Sequence, residues 1–423
     1  MIWTTEDQAL LLDLLRFDTV TPMESGVAGE LVAAQQRYAD AACLLGFDIT
    51  YHAAVSQQEL TTLTVPKAVF DRAAAMDADF LAAQPNLVLS LGDAPHERTL
   101  VFNFHMDTVS PYLPVREKSD VVFGRGAVDD KGPGVALLAG IRAALQRDNS
   151  LPGRVRILIH VVGGEEGGAM GVYGTRTLVA MGLVGRLNVV VEPTMQRYFD
   201  RATATMTLRL TATGRGGTDD EPNAAQNATL LLGFLAAWFG KRVLPVVDDA
   251  GARSCLAGLH TGTAHNRVYG RGSLLLNFAY PNKKTAAIIE RTVDCELSAA
   301  LTEFAAVYGG HPTTAETAAA ADTIVRGEWL KRGLPTLDNR DPAMERLLRA
   351  AGFARHDDAT RPITCDAIWL TDSDSYTIVC GPGDLTANNA HAEDEYVAVA
   401  DLDAFAERVA ALVMQFAGAG TNE

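Results

Sequence analysis

Apolar residues recur every three to four positions over Asp7–Leu15 and again over Ala28–Leu45, a spacing that predicts two amphipathic helices. Unbroken apolar runs at Asn86–Leu91 and Leu100–Phe104 then predict buried strands. The two textures alternate from there, with Gly134–Gln146 and Gly171–Met181 reading as helices and Val155–Val162 and Asn188–Val191 as strands. That order predicts an α/β domain, a mostly parallel sheet with helices on both faces.

The pattern changes after Arg201. Thr205–Thr211 alternates with period two, as a strand of a half-exposed antiparallel sheet does. A helix near Ala224–Phe239, strands near Ser254–Gly262 and Ser273–Tyr280 and a helix near Thr285–Val307 complete a small α+β unit. Beyond Pro335 the first texture returns, with a strand Tyr376–Cys380 and a final helix from Asp401. The expected division is a discontinuous first domain, 1–200 and 329–423, with a second domain, 201–328, inserted into it. Residues 55–84, rich in Ala, Asp and Gln, are expected to form one extra surface helix, and Ala315–Ala321 is a low-complexity tract.

A chain of 423 residues exceeds one ordinary core, in keeping with two domains. Its net charge of −16 would repel nucleic-acid phosphates and anionic lipid, so neither is an expected partner. No apolar run is expected to reach the ~20 residues of a membrane span, and the start lacks a basic-then-apolar leader, so the default location is cytoplasmic. The five cysteines are scattered and never form Cys-x-x-Cys, which argues against a disulfide framework or thiolate metal site and favours buried free thiols.

Ligands bind where the strands of a parallel sheet end, so polar residues just after apolar runs are the ones to examine. Five such places stand out: His105-Met106-Asp107, Asp129-Asp130-Lys131-Gly132 after Gly124-Arg125-Gly126, Glu165-Glu166 after Gly163-Gly164, Glu192-Pro193-Thr194, and the late segment His391-Ala392-Glu393-Asp394-Glu395-Tyr396. Imidazole and carboxylate donors suit Zn, Co or Mn, and two histidines with several acids can hold two divalent ions. Two ions ~3.5–4 Å apart share a bridging carboxylate and a water whose pKa falls toward neutrality.

In this order and spacing the segments resemble the metallopeptidase family of aminoacylase, carboxypeptidase G, acetylornithine deacetylase and succinyl-diaminopimelate desuccinylase, over nearly the whole chain. The resemblance implies a zinc-peptidase-like catalytic domain and an inserted ferredoxin-like lid that pairs chains into a homodimer or larger homo-oligomer. By position it makes His105, Asp129, Glu166, Glu192 and His391 the ligands of two divalent ions, with Asp129 bridging and Asp130 only a neighbour. It implies that Glu165 is the general base acting on the metal-bridging water, and that Asp107 fixes the His105 tautomer through the other ring nitrogen. His160, inside an apolar strand, is expected to be structural, as are His52, His96, His311 and His356.

Two features depart from that family. Thr218 stands where a carbonyl-polarising histidine is expected, and Ala279 falls where several relatives have a substrate-gripping arginine. Asn266 survives, and His260, His265, Arg267 and Arg271 lie close enough in sequence to supply replacement contacts, so Thr218, His260, Asn266 and Arg267 are the candidate substrate residues. The expected activity is therefore metal-dependent hydrolysis of a C–N bond in a small carboxylated molecule, by an N-acyl amino acid deacylase or dipeptidase. An aminohydrolase of an activated aromatic amine, such as a nitroanthranilate, needs no polarised carbonyl and is the alternative. A binding protein that kept the fold and lost catalysis would show an eroded base or ligand, and none is eroded.

Overall fold

The computed structural model describes residues 1–62, 65–357 and 359–419. The chain forms two compact units, one of Met1–Ala202 with the described residues from Leu337 onward, the other of Thr203–Thr336.

The first unit is built on a six-stranded sheet in the order Asp48–Ala53, Asn86–Leu91, Arg156–Val162, Thr99–His105, Leu187–Val190, Tyr376–Val379. The last four of these run parallel; Asn86–Leu91 is antiparallel to Arg156–Val162, and Asp48–Ala53 is an antiparallel edge. The inner strands are apolar on both faces because helices cover both. The helix Lys131–Arg147 is buried along most of its length and packs on the final helix, Val399–Gly418. Its first residue, Lys131, is itself buried. The Lys131 ammonium donates to the Leu14 and Phe17 carbonyls (3.1 and 3.0 Å), which closes the C-terminal end of the helix Thr5–Arg16.

The second unit is a four-stranded antiparallel sheet, ordered Arg253–His260, Arg271–Tyr280, Ala204–Thr213, Val325–Lys331, packed with the helices Ala228–Arg242, Lys283–Tyr308 and Pro312–Ile324. Val325–Lys331 pairs with Ala204–Thr213, so this unit runs to Thr336 and not to the expected 328. The low-complexity tract is part of the helix Pro312–Ile324.

Three other expectations change. Residues 55–84 contain three short helices, Gln57–Thr62, Lys67–Met76 and Ala78–Ala82. Val55, Leu60, Val69 and Phe80 form a small core there with Ala169, Val172 and Tyr173. All five cysteines are free, but only Cys365 and Cys380 are buried; Cys43, Cys255 and Cys295 lie on the solvent side of a helix end, an edge strand and a helix. Finally, the stretch Ala228–Asp249 is long and apolar enough to cross a membrane by length and composition. Lys241 and Arg242 interrupt it, and its inward residues Leu231, Leu232, Leu235 and Phe239 are buried in the second unit.

Candidate metal centre

The sheet of the first unit delivers the candidate residues to one edge. His105 is the last residue of its strand, Glu165 and Glu166 follow Arg156–Val162, and Glu192 follows Leu187–Val190. Asp129 and Asp130 precede the helix Lys131–Arg147, and His391 comes in on the late loop with its backbone in the left-handed region (φ 65°). The turn before Glu165 depends on Gly164, at φ 77°, where a Cβ would lie 1.9 Å from the Tyr173 ring.

Asp129 joins the two imidazoles. One carboxylate oxygen lies 2.9 Å from His105 Nε2 and the other 3.2 Å from His391 Nε2, which is also 3.1 Å from Glu166 Oε1. His105 Nδ1 donates to the Asp107 backbone carbonyl at 2.8 Å, so in a neutral ring the lone pair is at Nε2. That lone pair would then face an acceptor oxygen, an approach that only a proton or a cation can hold together. Asp107 thus meets the other ring nitrogen of His105 through its peptide oxygen. The carboxylate is 3.8 Å away and accepts the N–H groups of Glu165 and Glu166 (3.4 and 3.2 Å), steadying that loop.

Donor atoms of His105, Asp129 and Glu192 lie within 4.8 Å of one another, as do those of Asp129, Glu166 and His391, and those of His105, Glu165 and Glu166. The first two sets share Asp129, the arrangement two neighbouring ions need.

Electrostatics fit cations. Asp107, Asp129, Asp130, Glu165, Glu166, Glu192 and Asp366 are all buried around two imidazoles. Burial pushes the Glu165 carboxyl well up, reinforced by Glu166, and does the same to Glu192 with Asp129 beside it. Asp107 is pushed by burial to about 6. Asp129 goes the other way: against burial, hydrogen bonds with His105 and His391 hold it well below the usual carboxylate range. His391 is pulled up to about 11 by Asp129 and Glu166. Asp130 is buried with no hydrogen-bond partner on either oxygen among the described residues, and burial raises its carboxyl well above the ordinary value. Divalent ions would neutralise this excess of carboxylates, and the oxygen and imidazole donor set suits them.

A recess of about 160 Å³ opens on these groups, walled by Met170, Ile363, Thr364 and Leu385 opposite the acids. Three buried residues of the centre had no assigned role in the sequence reading. Asp366 accepts from the Thr175 hydroxyl. Glu395 and Arg125 form an ion pair at 2.6 Å behind Asp129. Glu395 sits inside a motif already singled out, and its distance from Arg125 in sequence hides the pairing.

The candidate substrate residues belong to the second unit. Thr218 and Arg267 are cross-strand partners, and with Asn266 they line one cavity. His260 lies outside that cavity, on a neighbouring recess with Arg209. The other histidines expected to be structural are outside the metal centre; His160 is fully buried and His356 stacks on Phe199 at 4.1 Å.

A profile of peptidase family M20/M25/M40 matches residues 101–415. Succinyl-diaminopimelate desuccinylase 2 of Ruegeria sp. (strain TM1040) is 30% identical over 224 residues, 48% of this chain and 55% of that protein. The chain spans about half the length of the curated relatives it matches. Human carnosine dipeptidase 1 shares the fold with a TM-score of 0.69 at 14% identity, over 98% of this chain and 96% of that one. So does the YXEP protein of Bacillus subtilis, described as a dinuclear metal binding peptidase, with a TM-score of 0.55 at 11% identity over 97% of both.

Proposed function

Because the chain belongs to peptidase family M20/M25/M40 and is a hydrolase of amide and related C–N bonds, we propose that it is a two-metal deacylase or dipeptidase of small carboxylated substrates. The observation that carries this reading is Asp129, which offers one oxygen to each of two imidazoles, with Glu192 beside one and Glu166 beside the other. His105, Asp129 and Glu192 would hold one ion, and His391, Asp129 and Glu166 the second. The dinuclear centre described for the Bacillus subtilis relative supports the pairing. When bound, such ions lower the pKa of a water and stabilise negative charge on the attacked carbonyl oxygen.

The chain's own residues do the proton work. Glu165 takes a proton from the attacking water as the new C–O bond forms, and delivers it to the leaving nitrogen as the C–N bond breaks. A carboxyl raised by burial and by Glu166 is suited to hold that proton between the two steps. Asp107, through its carbonyl to His105 and its carboxylate to the Glu165 and Glu166 N–H groups, keeps donor and base in register. The second unit, by the same family reading, pairs chains.

The test is a screen of protein loaded with Zn, Co or Mn against N-acyl amino acids, dipeptides and aromatic amines, detecting free amine and ammonia separately. Release of an amino acid that EDTA abolishes is the expected result. Release of ammonia from an aromatic amine instead would replace the deacylase by an aminohydrolase, and no turnover with any metal would overturn the hydrolytic reading of the centre.

A further inference from the structure

We propose that Met170, Ile363 and Leu385 form a specificity wall beside the metal centre, which seats a small aliphatic acyl group and turns away one that ends in a carboxylate. The proposal rests on the two-metal reading above and names the half of the substrate that enters the recess. Each ionisable side chain lining that recess is an acid of the centre or His391, and no lysine or arginine among the described residues lines it. With Asp129, Glu165, Glu166 and Glu192 committed to ions and water, three apolar side chains and Thr364 remain for a substrate group to meet. An N-acyl amino acid always carries a carboxylate on its amine half and need carry no charge on its acyl half. A carboxylate in the recess would lose water without gaining a cationic side chain, the cost that attends any buried unpaired charge. The acyl half therefore goes there. At about 160 Å³, below the ~300–1,000 Å³ of a pocket that encloses a whole drug-sized ligand, the recess takes a small group only.

The wall is set before anything binds. Met170 is buried with its backbone in the left-handed region (φ 55°), which a residue other than glycine keeps only where its surroundings impose it. Its N–H donates to the Glu165 carbonyl at 3.0 Å, and its own carbonyl accepts the Trp369 indole N–H at 2.6 Å. The second bond ties Met170 to the segment that carries Ile363, where Asp366 accepts from the Thr175 hydroxyl. Leu385 stands in a turn closed from both ends. The Asp384 carboxylate accepts the N–H groups of Thr386 and Ala387 at 2.9 and 2.7 Å, and the Asn388 side-chain oxygen accepts the Asp384 N–H at 2.8 Å. An apolar surface fixed in this way needs no ordering when an aliphatic group meets it.

Hydroxamates with different acyl tails probe the recess without turnover, because the hydroxamate group chelates divalent ions whatever its tail. The full chain loaded with zinc is titrated calorimetrically with acetohydroxamate, 4-methylpentanohydroxamate, octanohydroxamate and succinic monohydroxamate. The second and the last have tails of the same shape, one ending in an isopropyl group and the other in a carboxylate. In wild type the 4-methylpentano compound should bind at least tenfold more tightly than the succinic one, and the octano compound no more tightly than the 4-methylpentano. Ile363→Ala and Leu385→Ala should each weaken the 4-methylpentano compound roughly tenfold, as the loss of apolar contact in a pocket does, and leave acetohydroxamate unchanged. Thermal melts establish that both variants are folded. Succinic monohydroxamate binding as tightly as its isopropyl counterpart, a large gain for the octano tail, or alanine variants that leave the preference intact would overturn the wall, while acetohydroxamate binding would still uphold the metal centre. No binding of any hydroxamate would overturn both.

Discussion

Glu395 holds Arg125 by one carboxylate oxygen, at 2.6 Å, and with the other accepts the backbone N–H groups of Val128 and Asp129 at 3.2 and 3.4 Å. It stands four residues after His391, and its own carbonyl accepts the N–H of Gly124 at 3.1 Å. The two loops that bring Asp129 and His391 together are therefore fastened by one buried acid. Both partners are almost wholly inaccessible, so cutting one leaves the other charged and unsolvated. Glu395→Gln should lower stability by about 3 kcal/mol or more. It should also release metal at chelator concentrations that wild type withstands, which metal analysis after dialysis would read. Metal retention equal to wild type in a folded variant would reduce the pair to a scaffold role.

Glu165 and Glu166 are neighbours with different expected phenotypes. Glu165→Gln keeps size and removes the proton acceptor, so turnover should fall roughly 10²–10⁴-fold with metal content unchanged. Glu166→Gln removes an oxygen 3.1 Å from His391 Nε2, so metal affinity should fall first. Steady-state rates alongside metal content separate the two, and the reverse pattern would exchange their roles.

The loop carrying both glutamates turns on Gly164. A side chain at φ 77° is strained, and its Cβ would meet the Tyr173 ring, which is fixed through its hydroxyl to Gln84 at 2.7 Å. Gly164→Ala should thus destabilise the protein by several kcal/mol on the scale of about 1–3 for overpacking plus the strain, and should cost turnover beyond what the lost stability explains. A variant with wild-type melting temperature and rate would remove Gly164 from the argument.

What the sequence makes legible follows from where each signal resides. His105, Asp129, Glu165, Glu166 and Glu192 are readable because each ends or closely follows a strand or precedes a helix, and strand ends of a parallel sheet share an edge, whereas His391, on a loop, is readable only from the motif it stands in. Asp107 was visible as a neighbour of His105, but whether its carbonyl or its carboxylate meets Nδ1 is a matter of local backbone geometry that residue identity does not carry. Arg125 and Glu395 are 270 positions apart and meet only through the pairing of Val121–Phe123 with Tyr396–Ala398. Residues 55–84 lack a clean period because their three short helices bury only one or two residues each, Leu60, Val69 with Ala73, and Phe80 with Leu81, in a small core with Ala169, Val172 and Tyr173. The exposure of Cys43, Cys255 and Cys295 is not legible in the sequence because the hydrophobicity of a residue type says nothing about which face of a helix or strand it occupies.

His160 gives a prediction about pH. It sits fully buried between Val88 and Asn103 in the sheet, and neither ring nitrogen has a hydrogen-bond partner among the described residues. Burial alone lowers its pKa from 6.5 to about 3. Below pH 6.5 the unfolded chain therefore takes up a proton that the folded chain refuses, and stability falls as pH falls until the folded pKa is reached. The slope for one such group is about 1.4 kcal/mol per pH unit, so the whole span is on the order of 5 kcal/mol. His160→Leu removes the titrating group and two unsatisfied nitrogens at similar volume, and should be neutral or stabilising at pH 7. Between pH 6 and 4 the variant should lose markedly less stability than wild type. Other acids of the metal centre titrate equally in both proteins and cancel in the difference. Denaturant unfolding of both proteins in EDTA, so that metal loss does not contribute, measures that difference. Parallel stability curves over this range would show that His160 is reached by water or by a proton in the folded state, and that its burial has no bearing on acid sensitivity.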